Sequence, residues 1–124
     1  MDDNKLDKYN ESVILLKTLE IVVLKQAQRE LKDAPKDVLS DVFALFDDLA
    51  AGKKLGMPIS HPLPSVGKGL HELRLSGRAG EYRVFYVIKV GDAIYIIHAA
   101  TKKKQAIDRQ TTELLKQRLR SLGL

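Results

Sequence analysis

Cationic and aromatic side chains are interleaved along residues 74–104, and their types suit the binding of a nucleic-acid backbone. Guanidinium groups bind phosphate through two parallel hydrogen bonds, and aromatic faces stack on unpaired bases. An imidazole in the same stretch exchanges a proton near neutral pH. The set is Arg74, Arg78, Tyr82, Arg83, Phe85, Tyr86, Tyr95, His98, Lys102, Lys103 and Lys104. Such a combination is typical of a surface for single-stranded RNA.

The basic residues are concentrated in the second half of the chain. Residues 1–50 carry 7 bases and 11 acids, for a net charge of −4, whereas residues 51–124 carry 14 bases and 5 acids, for a net charge of +9. The formal charge of the whole chain is therefore only +5. An excess of this size in one region favours a phosphate-bearing partner. Charge alone leaves RNA, DNA and an acidic protein open as that partner.

Several classes of site are excluded by residue type and spacing. Cysteine is absent, which excludes disulfides, thiolate zinc sites and cysteine nucleophiles. The histidines, His61, His71 and His98, lack the i, i+4 spacing of a helical metal pair. No phosphate loop, dinucleotide fingerprint or serine-hydrolase motif occurs. We therefore expect neither a metal nor a cofactor.

The chain length and its apolar runs predict one domain in the cytoplasm. Apolar runs such as Val13–Leu16 and Ala93–Ile97 are far shorter than the roughly 20 residues that cross a bilayer, and no leader pattern opens the chain. A chain of 124 residues suits a single domain. We expect this domain at residues 19–124, preceded by an N-terminal extension at residues 1–18.

The first part of the domain reads as a strand and a helical hairpin. β-branched residues predict a strand at 19–24, and a helix-prone segment follows at 25–31. Apolar residues at helical spacing predict a second helix from Lys36 up to Gly52. Three prolines and four glycines between Gly52 and Gly69 predict a loop without regular structure.

The second part reads as a three-stranded meander and a C-terminal helix. Alternation predicts a strand with one buried face at 70–75, then strands at 81–90 and 93–101 joined by a tight turn at Gly91-Asp92. Asp108 is placed to cap the last helix. The expected fold is α+β, with the order β-α-α-β-β-β-α and the first strand paired to the meander.

Three segments of the chain resemble the RelE/ParE toxin superfamily, in particular its phage-derived Gp49-like or HigB-type branch. Gly69–Arg74 reads GLHELR, Gly80–Tyr86 reads GEYRVFY, and Ile96–Lys103 reads IIHAATKK. Leu49–Gly52 matches the L-x-x-G that precedes the loop. The resemblance extends from residue 19 to about residue 120, so it implies a RelE-like fold for the proposed domain.

The resemblance implies the toxin of a type II toxin–antitoxin pair, acting as a ribosome-dependent mRNA endonuclease without metal or cofactor. In that reaction a ribose 2′-OH attacks the adjacent phosphorus and leaves a 2′,3′-cyclic phosphate. Arg83 matches the arginine expected at the scissile phosphate, and Lys102 matches another basic position of the cleft. The remaining cations expected to bind the RNA backbone are Arg74, Arg78, Lys103 and Lys104.

The general base is the least defined part of the implied site. Some family members carry a tyrosine near the chain end, but here that stretch contains Asp108 and no tyrosine. His98 is then the best titratable candidate for catalysis, and a structural role for it in the strand stays open. For His71 we expect a packing role.

Two further questions stay open from sequence. Arg83 is expected on the sheet surface, where its removal leaves the fold intact, and the alternative is an ion pair with Glu72 or Glu81. Tyr82 and Tyr86 alternate with Arg83, so one set faces the helices, and parity alone does not say which.

The resemblance also implies partners and alternatives. The expected partners are the ribosome with its mRNA and an antitoxin from an adjacent gene, a helix-turn-helix protein that covers the basic cleft. Two other functions remain: a ParE-like toxin that inhibits DNA gyrase without RNase activity, and a non-catalytic prophage domain that binds nucleic acid or protein.

Overall fold

The computed structural model describes residues 19–89, 93–101 and 106–124. In chain order these form β1 (Glu20–Val23), α1 (Lys25–Lys32), α2 (Lys36–Ala50), β2 (Ser60–Pro62), β3 (Leu70–Gly77), β4 (Gly80–Lys89), β5 (Ala93–Thr101) and α3 (Arg109–Ser121). The predicted N-terminal extension, the turn at Gly91-Asp92 and the cations Lys102–Lys104 lie outside the described residues.

The strands form one mixed five-stranded sheet in the order β1-β5-β4-β3-β2. β1 runs parallel to β5, and the other neighbours are antiparallel. This confirms the α+β class, the meander and the pairing of β1 to it. The last pair between β1 and β5 joins Val23 to Ile96. Further along β5, from Ile97 to Thr101, no described strand pairs on that side.

The prediction that residues 52–69 lack regular structure is wrong at one point. Ser60–Pro62 form the short edge strand β2, which pairs antiparallel with β3. An edge strand tolerates Pro62 because a missing N–H there can face away from the ladder. The side chain of Ser60 is buried, and its Oγ lies 2.8 Å from the Tyr86 hydroxyl. Tertiary contacts thus order a segment whose composition suggests a loop.

Helical spacing explains α2, and side-chain capping explains the start of α3. Val38, Val42, Phe46 and Leu49 lie on one buried face of α2. After this helix Gly52 adopts a φ of 83°, a left-handed conformation that glycine adopts at no steric cost. Asp108 caps α3 as predicted, because its Oδ1 accepts a hydrogen bond of 2.7 Å from the N–H of Thr111.

Helices cover both faces of the sheet. The hairpin of α1 and α2 packs on one face against residues such as Leu73, Val84 and Ile96. Leu115 and Leu119 of α3 pack on the other face. The expectation that β3 has only one buried face is therefore wrong, since Glu72 is fully buried on the α3 side. Among the described residues, no helix has the length and apolar character needed to cross a membrane.

Candidate active site

A polar cleft of about 200 Å³ lies where β4 and β5 meet the start of α3. Two of the predicted catalytic residues, Arg83 and His98, line it. Its full lining is Arg83, Phe85, His98, Ala100, Thr101, Ala106, Asp108 and Thr111. Lys102, the third predicted catalytic residue, follows the cleft residue Thr101 in sequence and lies outside the described residues.

A β-bulge turns His98 into this cleft. Phe85 pairs with His98, but the next residue of β4, Tyr86, pairs with Ile96, so Ile97 is an extra residue on β5. Before the bulge, Ile94 and Ile96 pack with the helical hairpin. Simple alternation would place His98 on that same face. The inserted residue reverses the parity, as bulges do beside functional sites, and His98 stacks on Phe85 with ring centroids 5.5 Å apart.

Arg83 is buried, not exposed on the sheet surface as expected from sequence. It is 6% exposed, and its Nε lies 2.9 Å from Oε2 of the fully buried Glu72 as an ion pair, without the alignment of a hydrogen bond. The alternative pairing with Glu72 is therefore the one observed. Removing Arg83 would leave a buried carboxylate with one partner fewer, so surface exposure no longer supports the expectation that the fold tolerates this change.

Arg74 lies beside Arg83 and shares the same carboxylate. The two arginines are direct cross-strand partners on β3 and β4, which places them on one face of the sheet. Arg74 donates a 2.8 Å hydrogen bond from its Nε to Oε1 of Glu72, and its side chain is 31% exposed. One buried carboxylate thus holds two guanidinium groups next to the cleft.

Arg78 and the lysines of the predicted RNA-binding set are not brought into the cleft by the described residues. Arg78 is exposed in the turn between β3 and β4, where its backbone N–H donates to Oδ2 of Asp37 at the start of α2. Lys103 and Lys104 lie outside the described residues. Arg78 therefore belongs to a separate part of the surface.

His98 is held by a carboxylate that sequence reasoning missed. Its Nδ1 lies 3.0 Å from Oε1 of Glu30 on α1, and the side chain of His98 is 10% exposed. Glu30 also accepts hydrogen bonds from Arg118 on α3, from Nη1 at 2.9 Å and from Nη2 at 3.0 Å. These three side chains join both helical layers to β5.

The same network closes the uncovered edge of β5. The N–H of Ala99 donates to Oε1 of Glu30 at 3.2 Å, and the carbonyl of Ile97 accepts from Nη1 of Arg118 at 2.7 Å. These backbone groups lie beyond the point where β1 ends, so side chains satisfy what a strand would otherwise pair. Residues three apart lie on the same face of a helix. Glu30 follows the buried Ala27 by three residues on α1, and this spacing is the signal in the sequence that could have identified it.

Glu30 stays ionised in this setting. Burial of the carboxyl favours its neutral form, but the hydrogen bonds and positive charges of His98 and Arg118 outweigh burial and lower the pKa of Glu30 to about 2. A permanent negative charge therefore lies next to Nδ1 of His98 at neutral pH.

Tyr82 and Tyr86 face the helical hairpin, and Arg83 and Phe85 line the cleft. The structure thus shows which of the alternating residues of β4 lie on each face of the sheet. The Tyr82 hydroxyl donates to the backbone carbonyl of Glu30, and burial with the nearby carboxylates raises the pKa of Tyr82 to about 12. Burial also raises the pKa of Tyr86, whose ring stacks on His71 at 5.1 Å. Neither phenol suits a general base at neutral pH.

Comparison with known proteins gives a family and a fold. The model of the family described as phage-derived protein Gp49-like matches residues 29–120. No curated protein matches the sequence.

Two of the similar solved structures are chains of toxin–antitoxin proteins. A chain of the toxin–antitoxin complex RelBE2 from Mycobacterium tuberculosis has a TM-score of 0.52 and 21% identity, covering 68% of this chain and 99% of that one. A mutant of the E. coli toxin RelE in the free state has a TM-score of 0.48 and 13% identity, covering 85% and 98%. The family match confirms the Gp49-like part of the resemblance drawn from the sequence motifs, and the RelBE2 chain shows a similar fold.

Proposed function

Because this chain belongs to the phage-derived Gp49-like family and has a RelE-like fold, we propose that it is the toxin of a type II toxin–antitoxin pair. Its activity in this proposal is ribosome-dependent cleavage of mRNA in the cytoplasm. The toxin domain spans residues 19–124, and residues 1–18 are an extension to it.

The observation that carries the proposal is the cleft in which Arg83 and His98 meet. A guanidinium group stabilises the negative charge that develops on a phosphate under attack, and an imidazole accepts a proton near neutral pH. The two side chains lie on adjacent strands, held by Glu72 and Glu30 respectively. A cation and a base in one small polar cleft suit the cleavage of a phosphodiester.

The proposed reaction uses the RNA's own 2′-hydroxyl as the nucleophile. His98 accepts the proton of this hydroxyl while its oxygen attacks phosphorus. Arg83 and Lys102 stabilise the phosphate oxygens, and the products are a 2′,3′-cyclic phosphate and a 5′-hydroxyl. The RNA backbone on either side is bound by Arg74, Arg78, Lys103 and Lys104. No metal or cofactor takes part in the proposed reaction.

The proposed partners follow the chemistry of the basic half of the chain. The net charge of +9 over residues 51–124 suits ribosomal RNA, and such binding weakens steeply with salt. The antitoxin, proposed as a helix-turn-helix protein from an adjacent gene, presents an acidic surface that covers the cleft. Its association with the toxin is expected to weaken in the same way as salt is raised.

Controlled induction in bacterial cells tests the proposed function. Induction of the wild-type protein is expected to arrest growth and to produce new mRNA 5′ ends within translated frames. The matched pair is His98→Gln and His61→Gln, since His61 lies in β2 and does not line the cleft. We expect cleavage to fall about 10²-fold or more in the first variant and to persist in the second. Intact mRNA during wild-type growth arrest would contradict the proposed activity.

Two observations favour a gyrase-directed toxin as the second candidate. Arg83 already pairs with a buried carboxylate, and no tyrosine lines the cleft among the residues that the structure describes. A gyrase inhibitor needs no phosphate chemistry at this position. Induction of the DNA-damage response with mRNA left intact would support this candidate over the first.

A further inference from the structure

His98 has two ring nitrogens, and the structure gives them different surroundings. Nδ1 lies 3.0 Å from Oε1 of Glu30 and 3.3 Å from Nη1 of Arg118. The ring also lines the cleft, and no described residue forms a hydrogen bond with Nε2. Which nitrogen carries the proton decides whether the neutral imidazole can act as a base in the cleft.

The donors and acceptors around His98 place the proton of its neutral ring on Nδ1. Nη1 of Arg118 has two N–H groups, and its two well-placed acceptors are Oε1 of Glu30 at 2.9 Å and the Ile97 carbonyl at 2.7 Å. It therefore has no N–H left for His98. An ionised carboxylate only accepts, so the contact between Nδ1 and Glu30 requires a hydrogen on Nδ1.

We propose that Glu30, anchored by Arg118, is a positioning residue that fixes His98 with its Nδ1–H on Glu30 and its Nε2 as the proton acceptor in the cleft. This inference rests on the proposed RNA cleavage. Glu30 and Arg118 act through His98 and do not touch the substrate. The bulge at Ile97 turns the His98 ring into the cleft, and the contacts of Glu30 with His98 and Arg118 hold the ring there.

The proton transfers balance in this arrangement. The 2′-hydroxyl gives its proton to Nε2 as the bond between the 2′-oxygen and phosphorus forms. The bond between phosphorus and the 5′-oxygen breaks, and the leaving oxygen takes a proton from water. The imidazolium of His98, stabilised by the charge on Glu30, returns its proton to the resulting hydroxide.

Closure of the β5 edge is the competing explanation for Glu30, and the amide variant separates the two roles. In Glu30→Gln the side-chain oxygen can still accept the hydrogen bond from Ala99. The amide has no charge, however, and its NH₂ group can donate to Nδ1 of His98. If Glu30 only closes the β5 edge, Glu30→Gln lowers stability but leaves the His98 tautomer and the cleavage rate per folded molecule unchanged, whereas loss of a positioning role changes both.

Four charged side chains among the described residues lie around the His98 ring. Glu30 on α1 and Arg118 on α3 contact Nδ1, while Arg83 on β4 and Asp108 at the start of α3 share its cleft. Of these, only Glu30 brings a negative charge to Nδ1. Replacement of Glu30 by glutamine therefore removes the negative charge that faces the proton on Nδ1.

Long-range ¹H–¹⁵N NMR of the imidazole tests the assignment on the full-length wild-type protein. With the ring neutral, the expected result is the Nδ1–H tautomer for His98. The Nε2–H tautomer in the wild-type protein would overturn the inference, whatever the variants do. This readout requires neither RNA nor a folded variant.

The second part of the test compares Glu30→Gln with Glu113→Gln, an exposed carboxylate on α3. We expect the first variant to shift neutral His98 towards Nε2–H and to lower mRNA cleavage about 10²-fold, with the control unchanged. Arg118→Lys keeps the positive charge but loses the planar guanidinium group. Its tautomer shift and its cleavage rate are expected to lie between those of the two glutamine variants.

The outcomes separate the two claims. Wild-type tautomer and wild-type cleavage in a folded Glu30→Gln would overturn the positioning role. If Glu30→Gln does not fold, unaltered tautomer and cleavage in Arg118→Lys would do the same. A wild-type protein that shows the Nδ1–H tautomer but cleaves no mRNA on ribosomes would overturn the proposed function instead.

Discussion

The two faces of the sheet are built from different kinds of residue. The face under α1 and α2 is mostly apolar, and its polar groups include the hydroxyls of Tyr82 and Tyr86, both hydrogen-bonded to neighbours. The face under α3 is apolar only where Leu115 and Leu119 cover it. Beside the start of α3 it carries charged and polar groups, among them the buried Arg83.

The two faces contribute differently to folding and to the proposed chemistry. Apolar contacts on the hairpin face are enough to hold a domain of this size. Buried ion pairs add little net stability, because the desolvation of two charges offsets their attraction. The charged end of the α3 face therefore fits the proposed chemistry of the cleft better than the needs of the fold.

The largest expected effect comes from removing the shared carboxylate on the α3 face. Glu72→Ala removes the buried carboxylate that pairs with Arg83 and Arg74, and we expect a loss of about 4 kcal/mol in the free energy of unfolding. Urea denaturation monitored by circular dichroism measures it. The double variant Glu72→Met, Arg83→Met is expected to recover much of this loss. If Glu72→Ala is as stable as the wild type, the contrast drawn between the two faces of the sheet is wrong.

The next effect concerns Glu30 and depends on pH. Its pKa is lowered from 4.5 to about 2 in the folded protein, so the stability it contributes is present above pH 4.5 and is lost as pH falls towards 2. We expect Glu30→Gln to cost on the order of 3 kcal/mol at pH 7 and to flatten the acid dependence of unfolding in that window. Parallel acid titrations of the wild type and Glu113→Gln provide the reference. An unchanged acid dependence in Glu30→Gln would contradict the ion-paired geometry.

A substitution on the hairpin face is expected to affect folding alone. Val42→Ala removes two methyl groups from a fully buried position on α2 and should cost about 2 kcal/mol. Cleavage per folded molecule is expected to stay at the wild-type level, because α2 contributes no residue to the cleft. A specific loss of activity here would show that the two faces are not separate in function.

The smallest expected effect marks the outer surface of α2. Phe43 is 51% exposed, and Phe43→Ser should change the free energy of unfolding by no more than about 0.5 kcal/mol. Thermal unfolding monitored by circular dichroism checks this value. A large loss would mean that the exposed ring supports the hairpin through its edge contact with Phe46.

The sequence predicts the elements well where periodicity is strong. β5 has the predicted bounds, α2 begins at Lys36, and Asp108 caps α3, because these features depend on local spacing and side-chain type. The short strand β2 escapes prediction, since its pairing with β3 depends on contacts across the sheet and its composition favours a loop.

The site is less predictable than the fold. Arg83 and His98 are found from the sequence as candidates, but the burial of Arg83 depends on the position of Glu72 across the strand pair. The extra residue Ile97 interrupts the alternation of β5, so alternation alone predicts the wrong face of the sheet for His98. Contacts between residues as distant as Glu30 and Arg118 leave no periodic signal in the chain.

Chemical analysis of RNA ends tests the central claim, that the charged end of the α3 face cleaves mRNA, most directly. Purified protein is mixed with ribosomes carrying a defined mRNA, and the termini of the fragments are identified by mass spectrometry. We predict 2′,3′-cyclic phosphate and 5′-hydroxyl ends with the wild type, and a rate about 10²-fold lower with His98→Gln. Fragments with other termini, or equal rates for the two proteins, would contradict the account.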